Sequence, residues 1–145
     1  MTELILAKKE HLSFVAALEK NTFSEPWTEK SLELFLDELN FCVILLNSGE
    51  LASYCTVTTV LDEAQIINVA TDERFKRLGM AEKVLKAVIE ECKNRKIVTI
   101  SLEVRESNEP AIALYQKLGF EVMGKRNNFY TNPTENAFVM VKNNV

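Results

Sequence analysis

The sequence predicts a mixed α/β (α+β) fold of about seven strands and four helices, on three observations. The apolar period switches repeatedly between the alternation of a strand and the ~3.6-residue repeat of a helix. A helical stripe at Ala81, Val84, Leu85, Val88 and Cys92 leads directly into a strand from Val98 to Val104. With the strand before it, this makes a right-handed βαβ unit with parallel strands. Asn47-Ser48-Gly49 supplies turn chemistry between two β-rich runs and so marks a hairpin.

The elements follow in order. Leu4 to Ala7 reads as a short strand, and Lys9 to Lys20 as a helix with Leu12, Val15 and Leu18 on its inner face. Pro26 and Thr28 open a second helix, in which Thr28 is a suitable N-cap and Leu32, Phe35, Leu36 and Leu39 have helical spacing. Phe41 to Leu46 and Leu51 to Val60 are the hairpin strands, and Ala64 to Thr71 is the next strand. On the third helix Glu82, Lys83, Lys86, Glu90 and Lys93 lie off the apolar stripe. The Val98 to Val104 strand turns Val98, Ile100, Leu102 and Val104 to one face. Asn108 caps a short fourth helix, Pro110 is tolerated in its first turn, and Gly119 ends it. Phe120 to Asn128 and Ala137 to Lys142 complete the strands.

A chain of 145 residues suits one domain, residues 1–145, with one core. A net charge of −4 argues against a nucleic-acid binder held by phosphate contacts, though not against a basic protein substrate. Cys42, Cys55 and Cys92 are odd in number and widely spaced, which fits reduced, buried thiols in the cytosol. No run approaches the ~18 apolar residues of a membrane span, and the N-terminal charges stand in the wrong order for a secretory signal. Cytoplasmic residence is the expectation, with no metal spacing anywhere.

The turn Arg74-Phe75-Lys76-Arg77-Leu78-Gly79-Met80-Ala81 precedes the third helix. Small residues at a helix start present free backbone N–H groups and the positive dipole end, together an anion site. Lys76 and Arg77 add positive charge. On these residues alone an ordinary strand-to-helix turn with solvated basic residues is the better explanation. The segment nevertheless resembles the acetyl-CoA signature Gln/Arg-x-x-Gly-x-Gly/Ala of the GCN5-related N-acetyltransferases (GNAT), with Gly79 and Ala81 matching and Lys76 in the first place. The resemblance extends over nearly the whole chain. It takes in Asp62-Glu63-Ala64, Ile67 to Thr71, Leu102 to Arg105, Ser107-Asn108 and the run Ala111 to Phe120. Phe23 to Trp27 and Gly124 to Tyr130 are similar to segments of the ribosomal-protein-alanine N-acetyltransferases, the RimI group. Asn127, Phe129 and Asn136 depart from that group's usual arginine, tyrosine and aspartate.

The resemblance implies a mixed, mostly antiparallel sheet with a central, splayed parallel pair. It implies acetyl-CoA as co-substrate, its pantetheine arm along the backbone of Val69, Ala70 and Thr71. The pyrophosphate would lie on Arg77, Leu78, Gly79, Met80, Ala81 and Glu82, with Asn108 further along the cofactor. Phe23, Trp27, Arg126 and Tyr130 would face the acceptor, with ordinary core packing the other explanation for Phe23 and Trp27. Glu103, near the C-terminal end of a central strand, is the candidate base; a structural carboxylate paired with Arg105 or a backbone amide is the other explanation. Tyr115, about two helical turns past Asn108, is the candidate acid or else a core aromatic. The implied activity is acetyl transfer to a protein N-terminal amine, the alanine of a small-subunit ribosomal protein. Rival activities are transfer to lysine or a small amine, a CoA-binding module without catalysis, and a thiol enzyme using Cys42 or Cys92. His11 is the only histidine and falls on an expected surface position. No partner nucleic acid or membrane is implied.

Overall fold

A computed structural model describes residues 1–145. Its strands are β1 (Thr2–Leu6), β2 (Phe41–Asn47), β3 (Glu50–Val60), β4 (Glu63–Thr71), β5 (Thr99–Arg105), β6 (Glu121–Tyr130) and β7 (Glu135–Lys142). They form one sheet in the order β1-β2-β3-β4-β5-β7-β6. All neighbours are antiparallel except β4 and β5. The helices are α1 (Leu12–Thr22), α2 (Met80–Asn94) and α3 (Glu109–Lys117), with 3-10 segments at Lys9–His11, Ser31–Leu36 and Glu73–Phe75.

The parallel pair positions everything that follows. Register between β4 and β5 holds only over Glu63↔Thr99, Ala64↔Ile100 and Gln65↔Ser101. Beyond these residues β4 stays with β3 as far as Thr71, and β5 stays with β7 as far as Arg105. Each strand has a better partner on its far side, so the two part and leave a wedge with two unpaired backbone edges.

Two apolar cores lie on opposite faces of the sheet. On one, α2 buries Met80, Val84, Leu85, Val88 and Cys92 against Val43, Leu45, Cys55, Val57, Ile100 and Leu102. Fully burying each Leu or Val contributes about 1.5–3 kcal/mol, which anchors α2 and the turn before it. On the other face, Leu12, Val15 and Leu18 of α1 pack with Leu32, Phe35, Ile44 and Tyr54. Because both faces are covered, β2 and the first half of β3 are buried almost without alternation. Strand β5 does alternate, burying Ile100, Leu102 and Val104 and leaving Glu103 and Arg105 partly accessible.

Four expectations need correction. The second helix is a six-residue 3-10 segment, Ser31–Leu36, because the Asp37 carboxylate accepts from the Leu39 and Asn40 amides and turns the chain away. Met80, not Ala81, begins the buried stripe of α2. Val98 lies before β5 and is exposed, while Ile97 beside it takes the core position against α2. The side chain of His11 is mostly covered; its Nδ1 accepts from the Lys8 amide at 2.9 Å and closes the turn into α1.

Candidate active site

The wedge opens into a cavity of about 710 Å³. Its walls come from the end of α1 and the loop after it (Phe23, Glu25, Trp27), from β4, from β5, from α3 and from the β6–β7 turn. Glu103, Tyr115, Asn108, Val69, Phe23, Trp27 and Tyr130 all line it. Residues far apart in sequence therefore converge where the two parallel strands separate, which is where open α/β sheets hold ligands.

Glu103 faces the cavity from β5. Gln65 Nε2 donates to its Oε2 at 3.1 Å, and Arg126 Nε stands 3.5 Å from its Oε1. Its side chain is 16% exposed, so it is partly withdrawn from water yet reachable. The expected alternative partner, Arg105, is engaged elsewhere. Its guanidinium donates to Glu135 Oε1 at 3.2 Å and to the carbonyls of Pro133 at 3.0 Å and Thr131 at 3.1 Å. It also lies over the Tyr130 ring at 4.5 Å. Arg105 thus braces the β6–β7 turn, the far wall of the cavity, and leaves the Glu103 carboxylate to Gln65 and Arg126.

Tyr115 is carried by α3 and packs edge-on to Phe120, ring centroids 5.9 Å apart. Burial pushes its phenol well above the usual range, with the nearby Cys55 adding to the effect. Asn108 caps α3, its Oδ1 accepting from the Ala111 amide at 3.3 Å, and it also lines the cavity. Burial, and the charge of Glu103 after it, push Tyr130 up to about 12.

The cofactor expectations divide. Of Val69, Ala70 and Thr71 only Val69 reaches the cavity. The Ala70 carbonyl accepts from the Ser53 hydroxyl at 2.8 Å, and the Thr71 hydroxyl is 3.0 Å from the same group. The turn before α2 lies outside the cavity but has the geometry of an anion site. Gly79 is left-handed with φ 76° and begins the helix. The first helical bond runs from Lys83 N to Gly79 O at 3.1 Å, so the amides of Met80, Ala81 and Glu82 have no helical acceptor. The Glu82 side chain is tied to Lys117 at 2.9 Å and Lys86 at 3.0 Å, so only its backbone is available to an anion. Those hydrogen bonds, that of Lys117 foremost, hold its carboxyl below the usual range. Lys76 is paired with Glu73 at 3.0 Å, which makes Arg77 the freer cation of the turn.

Arg126 does not line the cavity but reaches it through Glu103. No cysteine lines it either. All three thiols are buried, and burial pushes Cys42 up to about 12 and Cys92 up to about 11, a poor state for a nucleophile. Sequence reasoning missed Gln65 and Asn68 as cavity residues. It also missed Glu19, a buried carboxylate on the apolar face of α1. A charged residue seven places after Leu12 and four after Val15 was the available signal.

The family model for the acetyltransferase (GNAT) family matches residues 12–120. The ribosomal protein bS18-alanine N-acetyltransferase of Escherichia coli (strain K12) is 36% identical over 125 residues, 85% of this chain and 84% of that protein. A Bacillus subtilis (strain 168) relative is 35% identical over 133 residues, 90% of this chain and 88% of its own. The crystal structure of the ribosomal-protein-S18-alanine N-acetyltransferase from Escherichia coli superposes with a TM-score of 0.92. That alignment covers 99% of this chain and 94% of that one at 32% identity.

Proposed function

The chain belongs to the acetyltransferase (GNAT) family and is an acetyl-CoA-dependent acyltransferase; from that premise we propose that its acceptor is a protein N-terminal amine. We further infer that residues 1–145 act as one acetyltransferase domain and that the acceptor is the N-terminal alanine of a ribosomal protein. The similarity to enzymes named for that reaction supports the choice. No helix is long and apolar enough to cross a membrane.

The residues present suit acetyl-CoA. The unpaired edge of β4 beyond Gln65 can bond an extended amide arm, as an added strand would. The amides of residues 80–82 at the start of α2 suit a pyrophosphate. When bound, acetyl-CoA supplies an acyl group activated as a thioester.

The observation that most supports transfer to an amine is the meeting of Glu103 and Tyr115 in one cavity. Glu103 takes the proton that the attacking amine sheds, directly or through one water, and Tyr115 hands a proton to the departing thiolate. Gln65 orients the Glu103 carboxylate. Phe23, Trp27 and Tyr130 enclose the acceptor's first residue, and Arg126 meets it beside Glu103. A protein N-terminal amine has a reference pKa of roughly 7.7–8.0 against ~10.4 for lysine, so near pH 7 it is neutral several hundred times more often. A single carboxylate is therefore adequate for this class of nucleophile.

Acceptor profiling tests the reading. With acetyl-CoA and thiol detection, a peptide beginning in alanine should react much faster than a matched peptide with a blocked N-terminus and a free lysine. Preference for the lysine peptide would remove the N-terminal assignment while leaving acetyl-CoA chemistry in place.

A second expectation concerns Gly79. An added Cβ there meets no atom within 4 Å, so crowding inside the protein is not the issue. The cost lies in the left-handed backbone, roughly 1–2 kcal/mol for an L side chain, and in bulk between the free amides and a phosphate. Gly79→Val should keep its fold and lose affinity for acetyl-CoA; calorimetry giving an unchanged Kd would show that the turn does not hold the pyrophosphate.

A further inference from the structure

Glu19 is fully buried, and the chemistry assigned above does not use it. Its Oε1 accepts from the Trp27 amide at 2.9 Å and from Asn68 Nδ2 at 3.2 Å. Its Oε2 accepts from Asn68 Nδ2 at 2.9 Å and from the Tyr54 hydroxyl. All three partners are donors. Burial, and then the carboxylate beside it, push the Tyr54 phenol far up, which keeps it a donor.

The partners sit on three different elements. Trp27 belongs to the loop after α1, Tyr54 to β3, and Asn68 to β4 just past the point where β4 leaves β5. Trp27 and Asn68 line the cavity, whereas Glu19 does not. A leucine at position 19 would continue the stripe of Leu12, Val15 and Leu18, and a well-packed apolar group commonly replaces a buried charge without loss of stability. Stability alone therefore does not account for a carboxylate here. Its geometric effect is to clamp the loop bearing Phe23 and Trp27 to the splayed strand.

We propose that Glu19 is a positioning residue for the acceptor: it fixes the Phe23–Trp27 wall against β4 and so sets the shape of the pocket that receives the amine-bearing residue. The proposal rests on the reading of the cavity as an acceptor site for an N-terminal amine. A glutamine at position 19 keeps one acceptor oxygen for Trp27 and Asn68 and must turn the Tyr54 hydroxyl round to accept from its NH₂, so the neutral amide holds these donors less strongly than the carboxylate.

The test uses Glu19→Gln and Tyr54→Phe, the latter removing one donor and keeping the ring. Three quantities are measured: steady-state kinetics with a peptide beginning in alanine, the acetyl-CoA Kd by calorimetry, and acrylamide quenching of fluorescence. Trp27 is the only tryptophan, so quenching reports on the clamped loop itself. In Glu19→Gln the peptide KM should rise by ~10-fold or more, while acetyl-CoA Kd stays within about two-fold. Trp27 should also become more accessible to quencher. Tyr54→Phe should shift KM and quenching in the same direction by less, and it decides the matter if Glu19→Gln does not fold. Unchanged KM and quenching in a folded variant would overturn the proposal, as would equal losses for peptide and acetyl-CoA. If the parent enzyme fails to acetylate the peptide, the acceptor reading falls separately, and unchanged Trp27 quenching in the variants would still refute the clamp.

Discussion

Glu103→Gln should lower the rate with a peptide beginning in alanine by ~10²–10⁴-fold at neutral pH. The substitution keeps the shape of the side chain and its hydrogen bond: the new amide oxygen can still accept from Gln65, now 3.1 Å from Oε2. Folding and acetyl-CoA affinity should therefore survive, and the loss isolates the missing carboxylate. Raising the pH should recover part of it, because the neutral fraction of the amine grows about tenfold per unit below its pKa of roughly 7.7–8.0. A pH–rate profile of both enzymes makes the check. A variant as active as the parent at pH 7 would end the base assignment and return Glu103 to a structural role beside Arg126.

Tyr115→Phe is expected to cost ~10²-fold or more in turnover with little change in acetyl-CoA binding. The ring keeps its edge-on contact with Phe120 at 5.9 Å, so only the hydroxyl is lost from the buried site. The raised phenol also predicts the sign of the pH effect. An acid whose proton is held more tightly stays protonated further into the alkaline range, so the parent enzyme should show no loss of kcat from Tyr115 ionisation up to about pH 10. Single-turnover kinetics, in which chemistry is measured apart from product release, give the clearest comparison. Turnover within a few-fold of the parent would assign the leaving-group proton to water or another residue.

How much of this was legible in the chain varied with the range of the interactions involved. The α2 stripe and the alternation of Ile100, Leu102 and Val104 are local periodicities, and both appear in the structure nearly where expected. The 3-10 segment was misread because Leu32 and Phe35 are three apart, a spacing that fits a 3.0-residue turn as well as an α-helix. Asp37 decided the matter through two amides that no periodicity reveals. In the candidate site, the places of Glu103 and Tyr115 on a strand and a helix left a structural reading open, and the family resemblance tipped the choice; the cavity brings the two together. Arg105, a natural guess as the partner of Glu103, is drawn to Glu135 and the turn carbonyls thirty or so residues away. Glu19 could be seen as an oddity on an apolar face, but Tyr54 and Asn68 lie 35 and 49 residues further on, so its purpose was invisible. Arg126 was expected beside the acceptor; its approach to Glu103 depends on the pairing of β6 with β7, which no single segment encodes.

The narrow join between β4 and β5 has a mechanical consequence. With only three residue pairs in register, the seven strands amount to two plates, β1 to β4 and β5 to β7, sharing a short hinge line. Ala64 and Ile100, both buried, lie on that line, while Asn68 and Glu103 stand some residues out along the two arms. A change in side-chain volume at the hinge is magnified with distance along each arm, because packed cores respond to added or removed methylenes by shifting backbone. The opening angle, and with it the width offered to an acceptor, can thus drift by substitution at residues that touch neither reactant.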